Sequence, residues 1–132
     1  MAPRKIPAPV PTPDTQEFWD AAAQGRFLIR RCQQCRKAYW YPRPNCPFCW
    51  GETEWVEASG RGAIYAYSVM RRAPEPYVIA YVTLEEGPTM LTNIVESDFD
   101  ALAIGRPVRL KFSATEGGPP VPSFTIAHGS TK

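Results

Sequence analysis

The chain has little of what most enzymes need. It contains a single histidine, His128, near one end of the sequence and beside no free cysteine that could serve as its nucleophile. It has no G-x-S-x-G motif and no phosphate-cradling glycine loop, and we interpret "EGGPP" at 116–120 as a turn. These absences argue against an independent enzyme. We expect no catalytic residue, and His128 to be an exposed residue of the tail.

Long apolar runs are also missing. No window approaches the ~18 to 20 continuous apolar residues that span a bilayer, and "MAPRKIPAPVPTPD" lacks the apolar centre of a signal peptide. With 132 residues, 44% hydrophobic and 21% charged, the composition is that of an ordinary globular protein. We therefore expect a cytoplasmic protein without membrane contact, whose thiols stay reduced.

What the chain does have is a dense cysteine segment, "RCQQCRKAYWYPRPNCPFCWG". Cys32 and Cys35 form one C-x2-C pair, Cys46 and Cys49 form a second, and ten residues separate the pairs. This spacing is typical of a zinc ribbon, in which two facing turns supply four thiolates to one metal ion. Tetrahedral sulfur ligation suits both zinc and iron, so spacing alone leaves the metal open between them.

A thioredoxin-like redox pair and a disulfide are the alternatives to a metal site. A redox C-x2-C opens a helix, and neither pair here is followed by a helical apolar pattern. Four cysteine ligands would close the coordination shell and leave no place for an activated water. We therefore predict a structural site, whose metal provides the folding energy that so short and polar a segment lacks. Chelation is then expected to unfold residues 27–56.

Residues 1–26 are predicted to form a proline-rich arm and a short helix. Five prolines in the first 13 residues indicate an extended, polyproline-like arm. A helix of roughly three turns is predicted through "DTQEFWDAAAQ", with Thr12 as its cap, Pro13 in its first turn, and Asp14 and Glu17 at its positive end. Gly25 is the predicted terminator.

The predicted helix carries a small apolar face formed by Phe18, Trp19, Ala22 and Ala23. This face either packs on the protein's own body or is offered to a partner. Phe18 and Trp19 are the candidate interface residues, since burying two aromatic side chains contributes roughly 3–6 kcal/mol.

Residues 27–58 form the predicted ribbon, which "RFLIRRC" enters as a strand with Phe27 and Ile29 on one face and "TEWVEASGRG" closes. From residue 59 to 132 the pattern is β, and five strands in about 70 residues indicate a small barrel. A single helical turn capped by Ser97 or Asp98 separates the third strand from the fourth. This order is that of an OB-fold barrel, although an SH3-like barrel or small sandwich would read similarly. The runs are "GAIYAYSVM", "YVIAYVTLE", "TMLTNIVE", "PVRLKF" and "SFTIAH".

Charge argues against a nucleic-acid partner. Residues 1–50 carry eight Lys and Arg against three Asp and Glu, a balance of +5, whereas residues 51–132 carry seven against ten, a balance of −3. An acidic barrel would repel a phosphate backbone. Alternation in half-buried strands is the simpler interpretation of four tyrosines, Tyr65, Tyr67, Tyr77 and Tyr81.

The order of segments along the chain strongly resembles a family that joins a rubredoxin-like zinc ribbon to an acyl-CoA-associated OB-fold. After the helix with Phe18 and Trp19, the segments that carry the resemblance are "LIRRCQQCRKAYWYPRPNCPFC", "GRGAIYAYSVM" and "LAIGRPVRLKF". The resemblance covers residues 18–126. Its specific residues are the prolines and arginine around the second cysteine pair, Pro42, Arg43, Pro44 and Pro47, with the turn at 105–108 as support.

The resemblance implies a mainly β chain that acts as a non-catalytic accessory subunit of a thiolase-like enzyme in a hetero-oligomer. Such partners include thiolases, acyltransferases and steroid side-chain aldolases acting on coenzyme A thioesters. A single-strand nucleic-acid binder and a stand-alone acyl-CoA-binding protein are the alternatives. They predict salt-dependent oligonucleotide binding and partner-free coenzyme A affinity, respectively.

Three cations of the ribbon, Arg36, Lys37 and Arg43, are the candidate contacts to coenzyme A phosphates. They could equally neutralise thiolate charge or simply be solvated. One local departure concerns the residue after each second cysteine, where such knuckles often place glycine. Arg36 and Trp50 occupy these positions, with Gly51 one residue later.

Overall fold

The computed structural model describes residues 6–40, 43 and 45–127. Pro42, Pro44 and His128, which the sequence analysis singled out, lie outside these residues. Within them the chain forms one α-helix, a three-stranded sheet and a closed five-stranded barrel, of which the helix and the barrel are as the sequence predicts. No helix of the described ranges is long and apolar enough to cross a membrane.

The helix, α1, is Gln16–Ala22 and begins later than predicted. Thr12 does not cap it, because the N–H of Thr15 donates to the Thr12 carbonyl at 2.9 Å and the Thr12 N–H donates to Thr15 Oγ1 at 2.9 Å. These bonds close a turn of their own, and Pro13 stands inside that turn rather than in the helix. The predicted three turns therefore shorten to two.

The helix ends as predicted, at a turn closed by Gly25. Gly25 has a φ of 79°, its N–H donates to the carbonyl of Ala22, and the N–H of Arg26 donates to that of Ala21, both at 2.9 Å. This pair of bonds with a left-handed glycine is the Schellman arrangement. It turns the chain directly into Phe27 and the first strand.

The ribbon sheet has β1 at its centre, Leu28–Cys32, flanked on both sides by antiparallel strands. The flanking strands are β2, Ala38–Tyr39, and β3, Thr53–Glu57. Phe27 and Ile29 are both buried, as expected for residues that share one face. Because β1 ends at Cys32, the sheet delivers the first cysteine to the turn that follows it.

The barrel strands are joined in the order β4-β5-β6-β8-β7, and β7 closes on β4. A closed barrel excludes the sandwich alternative. β6 and β8 run parallel where Ile94 pairs with Phe124. The strands are β4 Arg61–Met70, β5 Tyr77–Leu84, β6 Thr89–Ile94, β7 Pro107–Ser113 and β8 Val121–Ile126.

A 3₁₀ turn, Phe99–Ala101, lies between β6 and β7, where the sequence predicts one helical turn. The predicted side-chain cap is not formed. Asp98 occupies the capping position without a side-chain capping bond. The hydroxyl of Ser97 instead donates to the Val95 carbonyl at 3.0 Å and lies 3.2 Å from the Thr125 hydroxyl. Ser97 therefore ties the turn to β8.

One aromatic cluster joins the helix, the ribbon and the barrel. The ring of Phe27 lies 6.2 Å from that of Phe18, 5.6 Å from that of Trp40, and 6.4 Å from those of Phe112 and Phe124. The three regions consequently share one hydrophobic core. A change at Phe27 should be felt in all of them.

This packing corrects the prediction for the helix face. Phe18 is 2% exposed and packs on the protein's own body, so it offers no surface to a partner. Trp19 stacks edge-on against Phe18 at 4.9 Å and remains half-buried. Trp19 is therefore the member of the pair that a partner could still contact.

The proline-rich arm lies on the barrel from residue 6 onward. Pro7 forms a parallel bridge with Glu116, and the Glu116 N–H donates to the Ile6 carbonyl at 2.9 Å. Gly118 leaves room for Ala8, which an added Cβ would meet at 2.6 Å. The arm is extended, as expected, but it is paired with the loop between β7 and β8.

Candidate metal centre and cation-lined cleft

The four cysteines converge at one point, as their spacing predicts. All four Sγ atoms lie within 4.8 Å of one another, and none is in a disulfide. The sulfurs of Cys32 and Cys49 are 3.4 Å apart, and those of Cys35 and Cys46 are 3.7 Å apart. A tetrahedral metal with ~2.3 Å bonds to sulfur has S···S edges of ~3.8 Å, so the four thiolates fit such an ion.

Backbone N–H groups surround the cysteine sulfurs. The N–H groups of Gln34 and Cys35 lie 3.3 Å from Cys32 Sγ, and that of Phe48 lies 3.3 Å from Cys46 Sγ. Hydrogen bonds to the charged form of a group favour that form. The two turns are thus built to hold thiolates rather than thiols.

Neighbouring groups move the thiol pKa values of Cys32 and Cys49 in opposite directions. Burial raises the pKa of Cys32, but the N–H groups of Cys35 and Gln34 and the thiol of Cys49 outweigh it and lower the pKa to about 6. The N–H of Gly51 lowers the pKa of Cys49, whereas Cys32, burial and the other cysteines raise it to about 11. Both side chains would bind a metal as thiolates, so metal binding at this site should depend on pH.

The surroundings of the cysteine pairs argue against redox chemistry. Cys35 is followed by β2 and Cys49 by β3, and neither pair opens a helix as a thioredoxin-like pair does. Four thiolates also complete a tetrahedral shell. In the part of the chain that the structure describes, no other three His, Cys, Asp or Glu side chains come together as a metal site.

The two knuckle turns are equivalent and both end in a strained residue. The N–H of Arg36 donates to the Cys32 carbonyl at 3.1 Å, and that of Trp50 donates to the Cys46 carbonyl at 2.9 Å. Arg36 and Trp50 both have a φ of 65°. The left-handed conformation that glycine usually supplies is therefore kept here by larger residues, at a cost of roughly 1–2 kcal/mol each.

Gly51 has a different purpose from the missing glycine. A Cβ at this position would lie 2.5 Å from Gln34 Oε1 and 3.3 Å from the sulfur of Cys32. The Gln34 oxygen ends a flexible side chain that can move aside, so the sulfur of Cys32 is the tighter constraint. A glycine at this position lets the second knuckle lie close to that sulfur.

The three candidate cations line one cleft between the ribbon and the barrel. This cleft has a volume of about 730 Å³, with Arg36, Lys37 and Arg43 on the ribbon side. The turn between β5 and β6 forms the opposite wall, and Tyr39, Trp40, Pro47 and Phe48 add apolar surface. The sequence analysis named these cations separately, and the fold brings them to one place.

The cations of the cleft are not paired with a described acidic side chain, although the wall opposite them includes Glu86. None of Arg36, Lys37 and Arg43 forms an ion pair with a described residue. None donates a hydrogen bond to a cysteine sulfur within residues 6–40, 43 and 45–127. The Tyr39 hydroxyl donates to the Arg43 carbonyl at 2.6 Å, which fixes the backbone there.

The barrel tyrosines lie on the outer face, as alternation in half-buried strands predicts. Tyr65, Tyr67 and Tyr81 are exposed, and the Tyr67 hydroxyl donates to the Leu102 carbonyl at 3.2 Å. In β5 the less buried positions from Tyr77 to Tyr81 alternate with buried ones along the strand. Ion pairs of Arg61 with Glu85 and of Lys111 with Glu96 keep acidic groups on this surface.

Two family models match adjacent parts of the chain. Residues 19–55 match the model described as "ChsH2, rubredoxin-like zinc ribbon domain", and residues 55–113 match "ChsH2, C-terminal OB-fold domain". The boundary between them falls in β3. The four cysteines and all three cations of the cleft lie within the zinc-ribbon match.

Similar proteins come from bacteria and archaea. The chain is 37% identical over 128 residues to a probable enoyl-CoA hydratase alpha subunit of Thermomonospora curvata, covering 92% of this chain and 40% of that protein. It is 38% identical over 90 residues to a DUF35 domain-containing scaffold protein of Methanocaldococcus jannaschii, covering 62% and 64%. This chain therefore spans less than two thirds of either curated relative.

A solved structure described as "Ltp2-ChsH2(DUF35) aldolase" also matches. The superposition has a TM-score of 0.79 at 35% sequence identity. It covers 89% of this chain and 98% of the matched chain. The helix, ribbon and barrel described above are thus the whole architecture of that matched chain.

Proposed function

Because this chain belongs to the ChsH2 family of zinc-ribbon and OB-fold proteins, we propose that it is a non-catalytic accessory subunit of a thiolase-superfamily complex in acyl-CoA metabolism. The strongest support is the match to the Ltp2-ChsH2 aldolase, whose description joins the matched chain to a second protein. The archaeal relative named as a scaffold protein points the same way. Catalysis would then belong to the thiolase-like chain.

The proposed non-catalytic role is consistent with the chemistry of the described residues. All four cysteines are gathered at the candidate metal centre, so none remains as a nucleophile. The relative named as a hydratase subunit matches over 40% of its own length. Its name therefore does not assign hydratase activity to the stretch that the two proteins share.

Zinc is the proposed metal, held by Cys32, Cys35, Cys46 and Cys49. The match to a zinc-ribbon model and the fit of four thiolates to a tetrahedral ion support it. The ion would join the two knuckles and fix the ribbon. Iron is the competing ion for a four-sulfur site, and metal analysis of protein purified without added metal separates the two by stoichiometry and colour.

The cation-lined cleft is the proposed contact for coenzyme A. Arg36, Lys37 and Arg43 would bind its phosphates through charge-assisted hydrogen bonds, beside apolar surface from Trp40 and Phe48. Replacing Arg43 with alanine should weaken coenzyme A binding by about tenfold. Arg109→Ala, which removes an exposed cation on β7, is the matched control.

Purification of the tagged chain from its native cells tests the proposed subunit role. A thiolase-superfamily protein should co-purify in a fixed ratio and stay bound through gel filtration. A chain that purifies alone and binds coenzyme A tightly would instead be a stand-alone acyl-CoA-binding protein. Steeply salt-dependent oligonucleotide binding would identify a nucleic-acid binder and contradict the subunit role.

The proposed location is the cytoplasm. The cysteine thiols are free of disulfides in the structure, and a reducing compartment would keep them available for metal. Fractionation of native cells, with the tagged chain followed by immunoblot, checks this location.

A further inference from the structure

Trp50 exposes a large aromatic side chain to water and holds a strained backbone conformation, neither of which the fold requires. Its side chain is 79% exposed, and its backbone has a φ of 65°, a conformation that favours glycine. Its indole forms no hydrogen bond or ring contact with any described residue. A glycine would make the same turn without strain and without exposing a large aromatic ring to water.

Strain of this kind is held where a surface has a use for the side chain. Non-glycine residues in the left-handed region cluster at binding and switch sites, because the surrounding structure must hold them there. The cysteine cluster supplies that constraint, since Cys46 and Cys49 bracket the turn that ends at Trp50. Tryptophan is also the residue type most enriched among the energetic centres of protein interfaces.

The neighbouring side chains extend this surface. Phe48, on the same knuckle, is 57% exposed, and the ammonium of Lys37 lies 5.0 Å from its ring. Arg36 ends the equivalent knuckle, also at a φ of 65°, and is exposed without an ion pair to any described residue. The cysteine cluster lies between these two knuckle tips.

We infer that Phe48 and Trp50 form a knob that inserts into an apolar pocket of the thiolase-like partner. This docking site rests on the proposed subunit role. The matched aldolase, whose description joins a chain of this fold to a second protein, argues for a different protein as the occupant. A symmetric contact between two copies of this chain would bring Arg36 and Lys37 against the same cations, and like charges placed together oppose association.

The Trp50→Gly variant separates binding from folding. It removes the side chain at a position where glycine relieves backbone strain, so the variant should melt at the same temperature as the parent chain or a few degrees higher. Its bound metal should stay at the parental level. Trp50→Phe keeps an aromatic ring, and Tyr65→Ala removes an exposed aromatic side chain from the barrel as the matched control.

The test measures the dissociation constant between each variant and the purified thiolase-like subunit identified with the parent chain. We expect Trp50→Gly to raise it at least tenfold, Trp50→Phe to raise it less, and Tyr65→Ala to leave it unchanged. An unchanged constant for Trp50→Gly, or a clear fall in its melting temperature, would overturn the docking site while leaving the subunit role intact.

Two further outcomes identify other occupants of the knob. Parent chain that dimerises through Trp50 in analytical ultracentrifugation would show self-association instead. Trp50-dependent binding to vesicles with 20% anionic lipid, with no effect on the partner, would show a membrane surface. Either result contradicts partner docking, and a parent chain that captures no thiolase-like subunit removes the proposed function together with it.

Discussion

The ribbon packs few apolar side chains around its cysteines, whereas the barrel closes round a continuous apolar core. Most side chains of β3 are half-exposed, and β2 has two residues. The barrel core is drawn from every strand and includes Ile64, Val82, Met90, Val108, Phe124 and Ile126. Short segments cannot offset their own ordering entropy by burial, so we expect the ribbon to depend on a metal and the barrel on its packing.

The two regions also differ in charge. The residues up to 50 carry a balance of +5 and those from 51 onward −3, and three cations without an ion pair to a described residue line the ribbon side of the cleft. Among the described non-glycine residues with a positive φ, Arg36 and Trp50 lie at the two knuckles and Glu96 lies after β6. A region fixed by a metal can keep strained, exposed side chains, which suits it to binding another molecule.

Removing the metal should produce the largest difference in stability between the ribbon and the barrel. Metal binding to zinc-finger peptides contributes roughly 10–16 kcal/mol to folding, so chelation or Cys46→Ser should unfold the ribbon. Because Phe27 packs against Phe112 and Phe124, the barrel should lose part of its support as well. Calorimetry should show a lower and broader transition. A full parental transition after complete metal removal would contradict the dependence on metal.

Most of the fold could be predicted from the sequence because its signals are local. Cysteine spacing defines a metal site without tertiary information, and Gly25 ends the helix through bonds within one turn. Features that depend on contacts between distant residues could not be predicted. The pairing of Pro7 with Glu116 and the burial of Phe18 beneath Trp40 require partners far along the chain.

In the candidate site, too, the features with local signals were predicted and those that depend on distant residues were not. The four cysteines were predicted from sequence, but the gathering of Arg36, Lys37 and Arg43 opposite the turn between β5 and β6 depends on how the ribbon packs on the barrel. The later helix start was missed because the bonds between Thr12 and Thr15 compete with the helix locally. The positive φ of Trp50 was signalled by its position after the fourth cysteine.

Shortening the Phe27 side chain, which joins the regions, should have the next largest effect on the free energy of unfolding. Phe27→Ala removes a ring that contacts the helix, the ribbon and the barrel, and such truncations cost about 3–5 kcal/mol. Urea unfolding of the metal-loaded protein measures the loss. Ala58→Gly, a small change at a buried site, is the milder control. A loss below about 1 kcal/mol for Phe27→Ala would mean that the regions are stabilised independently.

Relieving strain in the ribbon should have a smaller, opposite effect. Arg36→Gly allows the left-handed turn without a side chain, so the free energy of unfolding should rise by up to about 1 kcal/mol. Lys37→Gly, one residue later, should not stabilise the protein. Urea titration of both variants gives the comparison, and equal changes would mean that backbone strain is not the cause.

The smallest expected effect concerns an ion pair on the barrel. Arg61 lies 2.9 Å from Glu85, and its hydrogen bond lowers the pKa of the Glu85 carboxyl. A lowered pKa stabilises the fold above the ordinary value of 4.5, and the contribution is lost as the pH falls through the lowered pKa. The melting temperature of Glu85→Gln should therefore be slightly below the parental value at pH 7 and equal to it near pH 2. A constant difference would exclude titration of Glu85.

Hydrogen exchange of the metal-loaded and metal-free protein tests the contrast between ribbon and barrel most directly. We expect metal removal to abolish amide protection in β1 and β3 while β5 and β6 keep most of theirs. Amide protection should then be similar in the two forms within the barrel and should differ between them at residues 28–57. Equal loss of protection in both regions, or none in the ribbon, would contradict a metal-dependent ribbon packed on a barrel that keeps most of its own stability.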